Sequence, residues 1–186
     1  MKYTITHVNL PEKEYLVVRG YYAFSDSPPE EYAKWHRLFS DLINNGYGDN
    51  DLVRQLLEKS GADEVFELFC NNCRNDERLG MWVVGRDIAC ENRNNAQAGD
   101  GFEIVRLNPS EYLRIEYYYG DGLTREQAFN EVIDYFNDEW IRDNPYESLI
   151  EGEYHYDPGT ANLCLLEPDE DIKRVIFWNP IKQRAI

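Results

Sequence analysis

Glu14-Tyr15-Leu16-Val17-Val18 returns 97 residues later as Glu111-Tyr112-Leu113-Arg114-Ile115. The same offset of 97 carries Tyr21-Tyr22 onto Tyr118-Tyr119, and Ser27-Pro28-Pro29-Glu30 onto Thr124-Arg125-Glu126-Gln127. The last two quartets are capping boxes: a hydroxyl accepts from the third residue's backbone N–H, and the Glu or Gln reaches back. Pro28 stands at the first helical position, where a missing N–H is harmless. Tyr32 and Phe39 then map onto Phe129 and Phe136. Tokens held at one offset through a strand, a turn and a helix read as an internal duplication.

Each half then yields the same elements. Residues 2–9 and 13–22 alternate as two strands around Leu10-Pro11. Residues 28–44 carry Tyr32, Trp35, Leu38, Phe39 and Leu42 at helical spacing, and strands follow near 64–70 and 79–90. The second half repeats this with strands 102–107 and 111–119 around Asn108-Pro109, a helix over 124–141, and strands near 149–156 and 172–179. The predicted fold class is α+β: duplicated β-β-α-β-β halves, about 1–91 and 101–182, related by a pseudo-twofold axis within one domain spanning 1–186. Antiparallel sheets carry the helices and the halves share a central cleft. Asp51 to Lys59 reads as an extra short helix inside an insertion, and residues 92–100 as a polar linker. Strand parity puts Leu113, Ile115, Tyr117 and Tyr119 under the second helix and Tyr112, Arg114, Glu116 and Tyr118 on the other face.

Composition narrows the function. The 186 residues include 14 Tyr, 8 Phe and 4 Trp, too many aromatics for a disordered chain. A mean hydropathy of −0.65 and the lack of a long apolar run predict no membrane span. No basic segment followed by an apolar stretch opens the chain, so no signal peptide is expected. A net charge of −16 repels phosphate backbones, which argues against a nucleic-acid surface and favours cationic partners or plain solubility. Cys70, Cys73, Cys90 and Cys164 then read as reduced thiols of a cytoplasmic protein. Cys70-Asn71-Asn72-Cys73 lacks the second ligand pair that a structural zinc needs, so structural or incidental thiols are the plainer reading.

No nucleophile elbow, phosphate-cradling glycine loop or metal-binding His pair occurs. His7, His36 and His155 read as satisfied surface or core histidines, and neither metal nor cofactor is expected. Carboxylates among aromatics remain. Ile150-Glu151-Gly152-Glu153-Tyr154-His155-Tyr156, read as one strand, puts Glu151, Glu153 and His155 on one face. Ringed by Trp and Tyr, such a glutamate would take a delocalised organic cation by charge and by cation–π contact. The plain alternative is an edge strand with both glutamates in solvent.

The chain resembles the GyrI-like small-molecule-binding domain, the effector-binding domain of AraC- and MerR-type multidrug regulators that also occurs alone. The motifs that carry the resemblance run in order along nearly the whole sequence. They are Leu10-Pro11-Glu12-Lys13-Glu14 with Val17-Val18-Arg19-Gly20, Met81-Trp82-Val83-Val84-Gly85, and Gly101-Phe102-Glu103 with Leu107-Asn108-Pro109 and Tyr112. Asp138-Glu139-Trp140-Ile141, Pro145-Tyr146-Glu147 and Phe177-Trp178-Asn179-Pro180-Ile181-Lys182 complete the set. The resemblance implies an SHS2-like duplication and a binder of amphipathic or cationic small molecules, acting in sequestration or sensing. It implies a ligand-binding glutamate in the strand after the second helix, carried onto Glu153 with Glu151 as close rival, and a helix-end Trp140 in the pocket. Trp82, Tyr117, Tyr119 and Trp178 join these as candidate pocket aromatics from strand position and parity; Trp35 and Phe39 are assigned to the core. With no residues to spare for a helix-turn-helix, the reading is of an isolated module. Two alternatives come with the resemblance: a hydrolase of strained cyclopropane-containing compounds with Glu153 activating water, and a DNA gyrase inhibitor.

Overall fold

The computed structural model describes residues 2–18, 22–23, 37, 50–61, 64–71, 79–87, 99, 101–151, 155–156, 159–167, 169 and 171–184. In chain order the elements are β1 (Tyr3–Leu10), β2 (Lys13–Val18), β3 (Tyr22–Ala23), α1 (Asp51–Ser60), β4 (Val65–Asn71), β5 (Leu79–Asp87), β6 (Phe102–Leu107) and β7 (Ser110–Tyr118). Then come α2 (Arg125–Asp134), a π-helical stretch Tyr135–Trp140, α3 (Ile141–Asp143), β8 (Tyr146–Ser148), β9 (Ile150–Glu151), β10 (His155–Tyr156), β11 (Asn162–Leu166) and β12 (Arg174–Gln183). The fold is α+β with antiparallel sheets. The predicted helix over 28–44, with Trp35 and Phe39, lies outside the described residues apart from Arg37.

The main sheet runs β1-β7-β12-β11-β4-β5-β2-β6, with β3 beside β5 and β8 beside β12. Both proline turns behave unlike hairpins. β1 pairs with β7 and β2 with β6, so the strands flanking Leu10-Pro11 stand near opposite ends of the sheet, as do those flanking Asn108-Pro109. A two-residue link reaches only about 10 Å. The ends of the sheet must therefore be brought together, and the sheet curls.

Each face closes its own core. On the helix-bearing face, Val53 and Leu56 of α1 pack on Leu16, Val18, Val65, Phe102 and Leu166. Ala128 and Val132 of α2, with Phe136 and Trp140, pack on Leu113, Ile115, Tyr117, Cys164, Val175, Phe177 and Ile181. Cys164 and Leu166 are two residues apart on β11, which puts α1 and α2 on one side of the sheet. The other face folds onto itself: Tyr15, Val17, Leu68, Val105, Leu107, Tyr112 and Leu163 from five strands form one buried cluster inside the curl.

Local chemistry sets the helices. Asn50 caps α1 by accepting from the N–H groups of Leu52 and Val53, and Gly61 at φ 69° closes it, a conformation glycine adopts without strain. Thr124 and Gln127 form the predicted capping box of α2. Buried Arg125 then donates to the carbonyls of Glu167, Asp169 and Ile172, tying the β11–β12 loop to the helix start. The π-helical stretch keeps both Phe136 and Trp140 buried, with rings stacked 5.9 Å apart.

Two strand assignments are corrected. Residues 150–156 are not one strand: Glu151 pairs antiparallel with His155 and Ile150 with Tyr156, so the chain reverses between them. The strand that enters the middle of the sheet between β12 and β4 is β11, Asn162–Leu166, which the polar surroundings of an otherwise apolar run concealed.

Candidate functional site

β4 reads Val65-Phe66-Glu67-Leu68-Phe69. With apolar neighbours on both sides, its one charge must enter a core whichever face it occupies. Glu67 is 1% exposed, and among the described residues neither carboxylate oxygen has a hydrogen-bond partner. Burial pushes its pKa well above the ordinary carboxylate value, because desolvation disfavours the charged form.

Its position is central. β4 and β11 are the middle strands of the sheet, and Glu67 pairs with Cys164 on one side and Val84 on the other. Cys164 belongs to the α2 cluster, while Val65, two residues before Glu67, belongs to the α1 cluster. Glu67 thus stands on the helix-bearing face, where the two helical covers meet. Cys164 is a buried free thiol whose pKa is raised by burial and further by the nearby Glu67. One step along β11 on the same face is Asn162, 9% exposed, whose amide oxygen is also unpartnered.

The residues singled out from the sequence are dispersed. Glu153 lies outside the described residues; Glu151 is placed by its backbone in β9, and β10, its partner, lies beside β4. Trp82 pairs at the backbone with Phe69, two residues beyond the Glu67–Val84 pair. Tyr117 and Tyr119 are buried on the helix-bearing face, rings 6.2 Å apart. The Tyr117 hydroxyl donates to Glu131 of α2 at 2.9 Å and the Lys2 ammonium sits 4.8 Å over its ring, so this tyrosine is already engaged. Trp140 stacks on Phe136 and on Tyr146 at 5.8 Å, with the His7 ring 5.8 Å away. His7 in turn lies 3.1 Å from the Glu111 carboxylate.

Trp178 faces the opposite way. It pairs with Arg114, whose guanidinium lies 5.5 Å over its ring, and meets Phe66 edge-on at 5.6 Å inside the curl. The structure therefore brings Tyr117, Tyr119 and Trp140 to Glu67's face and sends Trp178 to the other. Sequence reasoning did not single out Glu67 or Asn162. Among the described residues no three His, Cys, Asp or Glu side chains gather as a metal site requires.

A buried carboxylate without a described donor, on the same face as the aromatic-rich α2 cover, has the chemistry that charge pairing and cation–π contact with a cation call for. No protein-family profile matches this chain, and no curated protein matches it in sequence. Solved structures do. SAV2435, in its complex with tetraphenylphosphonium, aligns with TM-score 0.60 and 12% identity over 98% of this chain and 94% of that one. The fold is shared. A putative transcription regulation protein from Staphylococcus aureus MU50 aligns with TM-score 0.55 and 14% identity, covering 98% of this chain and 99% of that one. The C-terminal domain of EcmrR aligns with TM-score 0.51 and 9% identity, covering 99% of this chain and all 100% of that domain. No helix among the described residues is long and apolar enough to cross a membrane.

Proposed function

We propose that this protein is a GyrI-like module that binds amphipathic organic cations on the helix-bearing face of its sheet, as a sequestering or sensing protein. One observation carries the reading: Glu67, buried at the centre of the sheet, has no hydrogen-bond partner for either oxygen among the described residues. An isolated carboxylate there costs several kcal/mol if charged, so the empty site favours its neutral form. A ligand that brings its own positive charge and apolar bulk relieves that cost. Glu151 and Glu153 are the rival carboxylates, on a hairpin whose returning strand lies beside β4. SAV2435 with its bound phosphonium cation supports the ligand class.

The reading includes a duplicated architecture. What supports it is register. Lys13 pairs with Leu107 and Leu10 with Ser110, so adding 97 to one partner and subtracting 97 from the other turns the first pair into the second. The same offset carries Glu67 onto Cys164, its own cross-strand partner. A pseudo-twofold axis would pass between these two residues, and the proposed site lies on it.

The test is tryptophan quenching by tetraphenylphosphonium against neutral triphenylphosphine oxide, in wild type and Glu67→Gln. Preferential binding of the cation, lost in the variant, is the expected result. Equal binding of both compounds by wild type would overturn the reading.

A further inference from the structure

Three oxygens without a hydrogen-bond partner among the described residues stand on this one face, and all three are acceptors once a bound cation holds Glu67 ionised. They are the two carboxylate oxygens of Glu67 and the amide oxygen of Asn162. Asn162 and Cys164 are successive same-face residues of β11, and Cys164 is the cross-strand partner of Glu67, so Asn162 is the diagonal neighbour of Glu67. Diagonal neighbours of this kind lie roughly 7–8 Å apart at the backbone, within reach of a single small cationic group placed between their side chains. Both are deeply buried, Glu67 at 1% and Asn162 at 9% exposed. Burying an acceptor unserved is costly, and the cost is removed only by a donor.

We infer that the ligand class is narrower than organic cations at large: an amphipathic cation bearing N–H donors, a protonated amine or amidine, is preferred over a quaternary cation. This rests on the cation-binding reading above. A quaternary head group supplies charge but no hydrogen, so it leaves the Asn162 oxygen and the lone pairs of Glu67 unmet. A primary ammonium supplies three donors for three oxygens. Hydrogen bonds to a charged partner are the strong ones, so the difference is large enough to measure. The aromatic residues of the helical covers serve either cation equally and do not set this preference.

The experiment compares biphenylmethylammonium, its N,N,N-trimethyl counterpart and neutral biphenylmethanol at pH 8, by calorimetry, in wild type and in Asn162→Leu, which removes the acceptor at similar volume. The expected result is that wild type binds the primary ammonium about tenfold or more tightly than the trimethyl compound. In Asn162→Leu that ratio should shrink severalfold, the primary ammonium losing more affinity than the trimethyl compound. Equal affinity for the two cations in wild type overturns this inference and leaves the cation reading in place. Both cations binding no better than the alcohol overturns both. The wild-type ratio stands by itself if the variant fails to fold.

Discussion

Glu67 and Cys164 face each other across the β4–β11 pair in the middle of the sheet. On one side of that pair a carboxylate has no donor; on the other, a buried thiol has its pKa raised. The charge that the fold tolerates least is therefore placed where both helical covers and the whole sheet converge. Core polar groups that only hold a fold together come with their partners built in. Glu167 is the contrast in this chain: equally buried, it accepts from Arg174 at 2.6 Å.

Stability should reveal the protonation of Glu67. Its folded pKa is raised, so the neutral form is the one the fold accommodates. Stability is then fully present below the unfolded carboxylate pKa, about 4.3, and falls as pH rises from there through the raised folded value. Glu67→Gln keeps the shape and cannot ionise. It should be more stable than wild type by about 1–3 kcal/mol at pH 8, with the gap closing toward pH 4. Urea melts at the two pH values check this, and a gap that does not depend on pH would count against a buried, titrating Glu67.

Binding should release protons. A cation pairs with the charged form, so it pulls the raised pKa of Glu67 down, and affinity rises with pH across that range. Calorimetry in buffers of different ionisation enthalpy reads the proton count directly. Glu67→Gln should abolish the release and weaken cation binding by about 2–5 kcal/mol. Glu151→Gln and Glu153→Gln are expected to do neither. If Glu153→Gln instead abolishes the release, the site's charge is on the β9–β10 hairpin.

Two tryptophans should part company. Trp140 stacks within the helical cover on Glu67's face, whereas Trp178 is wedged between Phe66 and Arg114 inside the curl. Trp178→Phe should leave cation affinity intact while costing stability of about 0.5–1.5 kcal/mol through the lost ring and guanidinium contacts. Loss of cation binding with unchanged stability would reverse the assignment of faces.

Much of this was legible from the repeated Glu-Tyr-Leu segment, because a half-buried strand writes its alternation into the sequence. Leu113, Ile115, Tyr117 and Tyr119 lie under α2 as parity required. The partners of those strands were not legible: nothing in the alternation around Leu10-Pro11 says that β1 leaves β2 for β7. β11 was within reach, since the 97-residue offset applied to Val65–Asn71 lands on 162–168. Its five residues lack the alternation of a half-buried strand, because both of its faces are buried. Glu67 had its own signal, a lone charge between Val-Phe and Leu-Phe.

The Glu67–Cys164 pair itself can be made to test the geometry. Cys164→Glu would set two carboxyl groups directly opposite, with Cβ atoms roughly 5 Å apart. No described donor serves the first. Two such groups retain at least one shared proton well above the ordinary carboxylate range, because each charge disfavours the other and burial disfavours both. The variant's carboxyl pKa values are then raised in the fold, so its stability is present at low pH and lost as pH rises through them. We expect Cys164→Glu to lose more than about 3 kcal/mol relative to wild type at pH 8 and to recover part of it at pH 5. Cys164→Ala should lose about 1 kcal/mol at both, as a small cavity does. Guanidinium melts of the three proteins at the two pH values decide it. A Cys164→Glu protein as stable as Cys164→Ala at pH 8 would mean that the two side chains do not share a buried centre, and the receptor built on Glu67 would fall with that pairing.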